Sequence, residues 1–268
     1  MPRIPISRPD DPRLADYQDL NQRNLTRQSG KFIAEGDKVV ERLIASPFEV
    51  ASIFAESDWA DRLEPRVPPE TPIYVAERSL LEQTIGYNFH RGVLAAGRVG
   101  PRRQLTEVLE PLPESALVLV CPEIHDPTNL GSLIRTAAAF GVAAILLGRQ
   151  CAHPFSRRVL RVSMGAALQI PLIESADLSR DLELLRSHQF DLAATVLDAT
   201  AIPLQQAARM SRQAILLGSE GHGLGDEWLK LSTRRITLAM QSGIDSLNVA
   251  IATAVFLYHF TSQSAASV

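Results

Sequence analysis

Residues 116–147 read ALVLVCPEIHDPTNLGSLIRTAAAFGVAAILL. The opening ALVLVC is a continuous apolar run, the pattern of a strand buried on both faces of a parallel sheet. From Leu130 to Phe140 the apolar residues fall at helical spacing. Leu130, Leu133, Ile134, Ala137 and Ala138 share one face, and Arg135 points roughly the opposite way. Pro127 and Asn129 stop the preceding strand, and Asn129 stands where a helix N-cap is expected. AAILL, 143–147, is a second buried strand. Strand, helix and strand in this order form the unit of an open parallel α/β sheet with helices on both faces.

The alternation continues toward the C-terminus. A helix is expected over 176–188, strands at FDLAATV (190–196) and QAILLG (213–218), a short helix at 226–231, a strand at RRITLA (234–239) and a long helix from Ser246 to Phe260. In the other direction, KFIAEG (31–36), EVASIFA (49–55), IYVA (73–76) and GVLAAG (92–97) read as strands, with a helix over 37–45. Tyr17, Leu20, Asn24 and Leu25 lie at near-helical spacing within 16–28. The expected organisation is a loose N-terminus (1–15), a small α/β domain (16–100), a Pro-rich linker (101–115) and a larger α/β domain (116–268).

Composition narrows the function. With 27 Lys and Arg against 30 Asp and Glu, the 268-residue chain carries a formal charge of −3. That excludes a protein that coats nucleic acid by bulk charge, but not one with a local basic patch. RQCAHPFSRRVLRVSMGAAL (149–168) is such a patch: Arg149, Arg157, Arg158 and Arg161 occur with no acid among them. It reads as a solvated loop or as a track for phosphates. The two cysteines, Cys121 and Cys151, form no CxxC pair, and the six histidines are scattered with no HExxH, so no metal centre is expected. The N-terminus lacks the apolar core of a secretory signal. The longest apolar stretch, Leu247–Phe260, falls short of the ~20 residues that span a bilayer, so a cytoplasmic protein is expected.

Two further segments sit where ligands bind in parallel sheets, beyond the carboxyl ends of strands. AILLGSEGHGLG (214–225) ends a buried strand in Gly218, Gly221, Gly223 and Gly225, with Glu220 and His222 among them. Glycines permit close backbone approach, so this is a tight turn or a loop enclosing a small ligand. It is not a dinucleotide fingerprint, which opens the first strand–helix unit rather than a late one. RITLAMQSGIDSLNVAIATAVFLY (235–258) runs from a strand through a loop into a helix that is apolar nearly all round and so must be covered on all sides. By themselves, Ser246 reads as the N-cap of that helix, Asn248 as a first-turn polar residue and Arg135 as a surface arginine.

NLGSLIRTAAAFG, LLGSEGHGLG and SLNVAIATAVFLY, in that order, resemble the SpoU family of RNA ribose methyltransferases within the SPOUT superfamily, and RVSMGAALQIPL fits the stretch between the first two. The similarity runs from about Leu117 to Tyr258, and FIAEGDKVVERL with GVLAAG looks like the family's small ribosomal-protein-like substrate-binding domain. The resemblance implies a parallel-sheet α/β domain tied in a trefoil knot, which pattern reasoning alone excludes. It implies S-adenosylmethionine bound in the knot, a homodimer through the knot domain, and methyl transfer to a ribose 2′-hydroxyl of RNA, rRNA more than tRNA. The apolar final helix independently supports a buried dimer face. By matching position, Asn129, Arg135, Glu220, Ser246 and Asn248 fall on active-site residues, and Gly218, Leu238, Leu247, Thr195 and Met240 on cofactor-contact positions. Arg157, Arg158 and Arg161 are the candidate RNA contacts, with no metal or membrane involved.

One departure stands out. The family has proline before the motif methionine and glycine two residues after it, where this chain has Ala239 and Ser242, with Gly243 adjacent. A loosened strand end and a shifted glycine bear on the backbone contacts to the cofactor. Two competing readings follow. One is a catalytically weak RNA-binding protein with a degraded cofactor pocket, which predicts no cofactor binding. The other is an α/β enzyme using a different nucleotide, which predicts a bound dinucleotide and unretained RNA.

Overall fold

The computed structural model describes residues 3–20, 29–219, 221–241 and 246–265. Glu220, Ser242, Gly243, Asn24 and Leu25 lie outside the described residues. The chain forms two compact units, Met1–Pro101 with Phe155–Gln169, and Arg102–Pro154 with Ile170–Val268.

The first unit is built on β1 (Arg3–Pro5), β2 (Lys31–Glu35), β3 (Val50–Ala55), β4 (Ile73–Val75) and β5 (Val93–Arg98), in the order β1-β4-β3-β5-β2. β1, β4 and β3 run parallel, and β5 pairs antiparallel with both β3 and β2. The N-terminal residues expected to be loose instead supply the edge strand β1. Ile6 and Leu14 just beyond it are buried, and burial of these apolar side chains ties the segment down. Tyr17 is fully buried. Its hydroxyl lies 2.8 Å from Ser52 Oγ and accepts the Ala96 N–H at 3.1 Å, so its polar end is satisfied inside the core.

Phe155–Gln169, expected in the larger domain, belongs to this first unit. The reason is aromatic packing. Phe155 stacks on Phe32 at 5.5 Å between ring centres and meets Phe48 edge-on at 5.1 Å. The helix Arg157–Val162, in a stretch expected to be a solvated loop or a phosphate track, buries Val159 and Leu160, and the Ser156 side chain caps the Val159 N–H. The Arg42 guanidinium donates to the Met164 carbonyl beyond it.

The second unit carries β6 (Ala116–Cys121), β7 (Ala144–Leu147), β8 (Leu172–Glu174), β9 (Asp191–Val196), β10 (Ile202–Pro203), β11 (Arg212–Leu216) and β12 (Arg234–Thr237). Their order is β10-β12-β9-β11-β6-β7-β8, and every pairing is parallel. All six residues of β6 are buried, as its unbroken apolar run requires. Val118 and Val120, on one face, join Leu146, Leu192 and Leu216 under Leu178, Leu182 and Leu185 of the helix Leu178–Ser187. The expected linker is partly core as well. Leu105–Leu109 is a helix with a Gln104/Glu107 capping box, and Leu105, Val108 and Leu109 are buried in the same cluster.

Both expected helix caps shift. The helix Pro127–Ala139 starts two residues before Asn129. Asp126 is its N-cap, accepting the Thr128 N–H at 2.6 Å, and proline occupies the first turn, where its missing N–H is harmless. The final helix, Val249–Ala265, is capped by Asn248, not Ser246: Asn248 Oδ1 accepts the Ala250 N–H at 3.0 Å and the Ile251 N–H at 3.4 Å. These two helices pack against each other. Among the described residues no helix is long and apolar enough to cross a membrane.

Candidate active site

The carboxyl ends of β9, β11 and β12 open on a cleft of about 780 Å³. In a parallel sheet all strand ends on this edge expose the same backbone groups, and the loops that follow them build the walls. β9 delivers Thr195, Leu197 and Asp198; β11 delivers Leu217, Gly218 and the loop to Leu224; β12 delivers Arg235, Leu238 and Met240. Ser246, Leu247 and Asn248 close the cleft at the start of the final helix, with Ala252 and Phe256 behind them. Asn129 reaches it from the first turn of Pro127–Ala139.

The cap shifts matter here. Because Asp126 does the capping, the Asn129 side chain is released to the cleft, where its Oδ1 accepts from Asn248 Nδ2 at 2.9 Å. One amide thus caps the final helix with its oxygen and joins a residue 119 positions away with its nitrogen. Thr195 Oγ1 donates to the Leu216 carbonyl at 2.9 Å, tying the ends of β9 and β11 together. After β11 the chain folds back on itself: Ser219 N–H donates to the Gly223 carbonyl at 2.9 Å and Gly223 N–H returns the bond at 3.1 Å. Gly223 has φ +68°, a left-handed conformation suited to glycine. This tight return presses backbone onto Gly218, where an added Cβ would lie 2.5 Å from Gly223 C and 2.7 Å from Leu224 N.

The cleft therefore gathers Asn129, Thr195, Gly218, Leu238, Met240, Ser246, Leu247 and Asn248 from the sequence candidates. Arg135 is exposed and does not line it; six residues beyond Asn129, it stands ~9 Å further along the helix axis. Among the described residues its side chain makes no hydrogen bond or ion pair. Asp198 and Arg235 were missed. Thr200 donates its N–H and hydroxyl to the Asp198 carboxylate, each at 2.8 Å, and these bonds hold its pKa below the ordinary value, so it is ionised at neutral pH. The available signal was an acid two residues past a strand that ends on the ligand edge.

Of the four arginines in the basic strip, Arg149 belongs to the second unit, and Arg157, Arg158 and Arg161 belong to the first. Two of them face an acid there. Glu35, nearly buried at the end of β2, lies 3.6 Å from Arg157 Nε and 3.8 Å from Arg161 Nη1, and accepts from the Tyr87 hydroxyl at 3.2 Å. The Arg157 guanidinium stacks over the Tyr87 ring at 4.9 Å. Burial, with Glu35 adding to it, pushes the Tyr87 phenol well above the usual tyrosine range. Arg158 is exposed. Replacing Glu35 with glutamine leaves two guanidiniums beside a neutral side chain, and the variant should lose about 1–3 kcal/mol by urea unfolding. An unchanged midpoint would show that the arginines are held by something else.

The family model for SpoU rRNA methylases matches residues 116–258. The chain belongs to the SpoU rRNA methylase family. It is 38% identical over 261 residues to an uncharacterized tRNA/rRNA methyltransferase of Mycobacterium bovis, covering 94% of this chain and 90% of the relative. It is 32% identical over 205 residues to the 23S rRNA (guanosine-2′-O-)-methyltransferase RlmB of Acinetobacter baylyi, covering 75% and 82%. The SpoU methyltransferase AviRb of Streptomyces viridochromogenes, solved with its cofactor AdoMet, superposes with a TM-score of 0.83 at 21% identity, over 96% of this chain and all of that one. A SpoU member is an RNA methyltransferase, and its methyl donor is S-adenosylmethionine.

The residues present fit that donor. The cleft volume of 780 Å³ lies within the range of ~300–1,000 Å³ for small-molecule sites. Leu217, Leu238, Leu247 and Phe256 offer apolar wall, and Asp198 offers an ionised acceptor for hydroxyl or ammonium groups. Gly218 leaves backbone bare at the strand end. Among the described residues no three His, Cys, Asp or Glu side chains are grouped to hold a metal ion.

Proposed function

We propose that the protein transfers a methyl group to the 2′-hydroxyl of one nucleotide in ribosomal RNA, working in the cytoplasm as a homodimer through a knotted C-terminal domain. The observation that carries this reading is the convergence in one cleft of three segments distant in sequence: Asn129, Gly218 with Gly221–Leu224, and Ser246–Asn248. Bound S-adenosylmethionine supplies an electrophilic methyl on a sulfonium. Gly218, Leu238, Leu247, Met240 and Thr195 would hold it.

The remaining residues orient the acceptor. The Asn129–Asn248 pair fixes two amides at the cleft wall, and Ser246 adds an exposed hydroxyl beside them. Holding the ribose hydroxyl in line with the methyl supplies much of the rate without a strong base. For Arg135 the proposed role is to anchor a phosphate, with polarising the hydroxyl as the second possibility. Its exposed position suits it to a phosphate of the substrate. Glu220, which lies outside the described residues, is the fifth candidate in this machinery.

The dimer reading rests on an uncovered stripe. Leu247, Ile251, Val255 and Tyr258 repeat every three or four residues and are 42%, 57%, 39% and 66% exposed. Large apolar side chains in such a row mark an interface. Leu247 also lines the cleft, so a partner seated on the stripe would reach the site's edge. An Ile251→Glu variant should therefore elute at half the mass of the parent in light-scattering chromatography; an unchanged mass removes this face from the interface.

Calorimetric titration with S-adenosylmethionine, followed by tritium-methyl transfer to 23S rRNA, tests the main reading. Micromolar binding at one site per subunit and label at a ribose 2′-oxygen are expected. Absence of binding at millimolar donor would overturn it in favour of an RNA-binding protein whose pocket was lost at Ala239 and Ser242.

A further inference from the structure

A second cavity, about 280 Å³, lies beyond the carboxyl ends of β7 and β8. All strands of this sheet are parallel, so it opens on the same edge as the cofactor cleft. β7 is two strand positions from β11 and β8 is three, which separates the two sites by ~10–15 Å. A short run of extended RNA covers that distance.

The cavity is lined by Glu174 at the end of β8, Arg149 after β7, and Arg102. Among the described residues none of the three side chains makes a hydrogen bond or ion pair. Charges of both signs thus line one cavity without closing on each other; Arg102 and Arg149 are exposed and Glu174 half-buried, so a ligand that entered would replace solvent as their hydrogen-bond partner. The ligand must present donors at one end and negative charge at the other. A nucleotide does so, with its base toward the carboxylate and its phosphate toward the guanidiniums.

The carboxylate also selects the base. An ionised carboxylate only accepts hydrogen bonds, through two oxygens side by side. On its pairing edge guanine carries two adjacent donors, N1–H and the N2 amino group. Adenine and cytosine each place a ring-nitrogen acceptor beside their amino group, and uracil flanks its single N–H with two carbonyls, so each sets a lone pair against a carboxylate oxygen. We infer that this cavity is a guanine-nucleotide subsite, in which Glu174 reads the base and Arg149 and Arg102 hold the phosphate of a residue near the methylated one in the RNA.

This rests on the RNA methyltransferase reading, and the test separates the two. The full-length protein, with its cofactor cleft filled by S-adenosylhomocysteine, is titrated with the four ribonucleoside 5′-monophosphates by NMR. GMP should bind more tightly than AMP, CMP or UMP. Glu174→Gln should weaken GMP about tenfold while leaving S-adenosylhomocysteine affinity unchanged. Arg149→Ala should weaken GMP but not guanosine. Equal affinity for the four nucleotides, no binding of any, or an unaltered GMP affinity in Glu174→Gln overturns the subsite even if rRNA is methylated normally. Loss of donor binding and methyl transfer in the parent protein would instead overturn the functional reading, and the nucleotide series needs no variant to be scored.

Discussion

Gly218→Val is expected to fold and to lose S-adenosylmethionine affinity by at least ~10²-fold, equivalent to about 2.7 kcal/mol. The Cβ would sit 2.5 Å from Gly223 C and 2.7 Å from Gly223 Cα, and these are backbone atoms that no rotamer change can move aside. Relief requires the return from Ser219 to Gly223 to shift as a body, against its two main-chain hydrogen bonds. That return is the wall of the cleft, so steric relief and loss of the cofactor contour are one event. The stability loss should stay near 1–3 kcal/mol, the usual scale of overpacking, because the strand below is untouched. Calorimetry measures the affinity and thermal melting the fold. Parent-like affinity in a folded variant would show that the cofactor does not lie against this turn.

Arg135→Ala should behave in the opposite way. Its side chain is exposed and without a partner among the described residues, so stability should change by no more than ~0.5 kcal/mol. It does not line the cleft, so donor affinity should be unchanged. Methyl transfer should fall by ~10²–10³-fold, the scale of removing one positioned cationic or hydrogen-bonding group from a reacting centre. Two variants resolve the role. If Arg135 anchors a phosphate, Arg135→Lys keeps the charge and recovers most of the RNA affinity while Arg135→Ala raises KM. If it polarises the hydroxyl, both lower kcat and spare KM. Full activity in Arg135→Ala would remove the residue from the site.

Several elements were legible because their signals are local. The buried strand 116–121 and the strands near 144–147, 191–196 and 212–216 follow from apolar runs too short for helices, and the final helix follows from an apolar run too long for a strand. Elements held by distant contacts were not legible. Nothing within Arg3–Pro5 announces a strand; it becomes one because β4 supplies a parallel neighbour. The helix Arg157–Val162 hides in a basic stretch, and its apolar residues have meaning only against the first unit. The helix caps failed for a related reason. Several cap-competent residues stand in a row, Asp126, Thr128 and Asn129 in one helix, Ser246 and Asn248 in the other, and geometry chooses among them.

The three sequence blocks were enough to name a family and nominate a site, because side-chain chemistry and spacing survive in one dimension. Gly218, Ser246 and Asn248 needed no coordinates to be suspected. Their meeting did. Only the folded chain joins Asn248 to Asn129 across 119 positions, frees Asn129 by handing its capping role to Asp126, and sets Arg157 and Arg161 against Glu35. Only there do Glu174, Arg149 and Arg102 line one cavity. Local pattern reports what a segment buries and where it turns, since those depend on neighbours along the chain. Which groups share a hydrogen bond or a cavity depends on neighbours through space, and parallel strands bring those from far away, because each must return across the sheet before pairing.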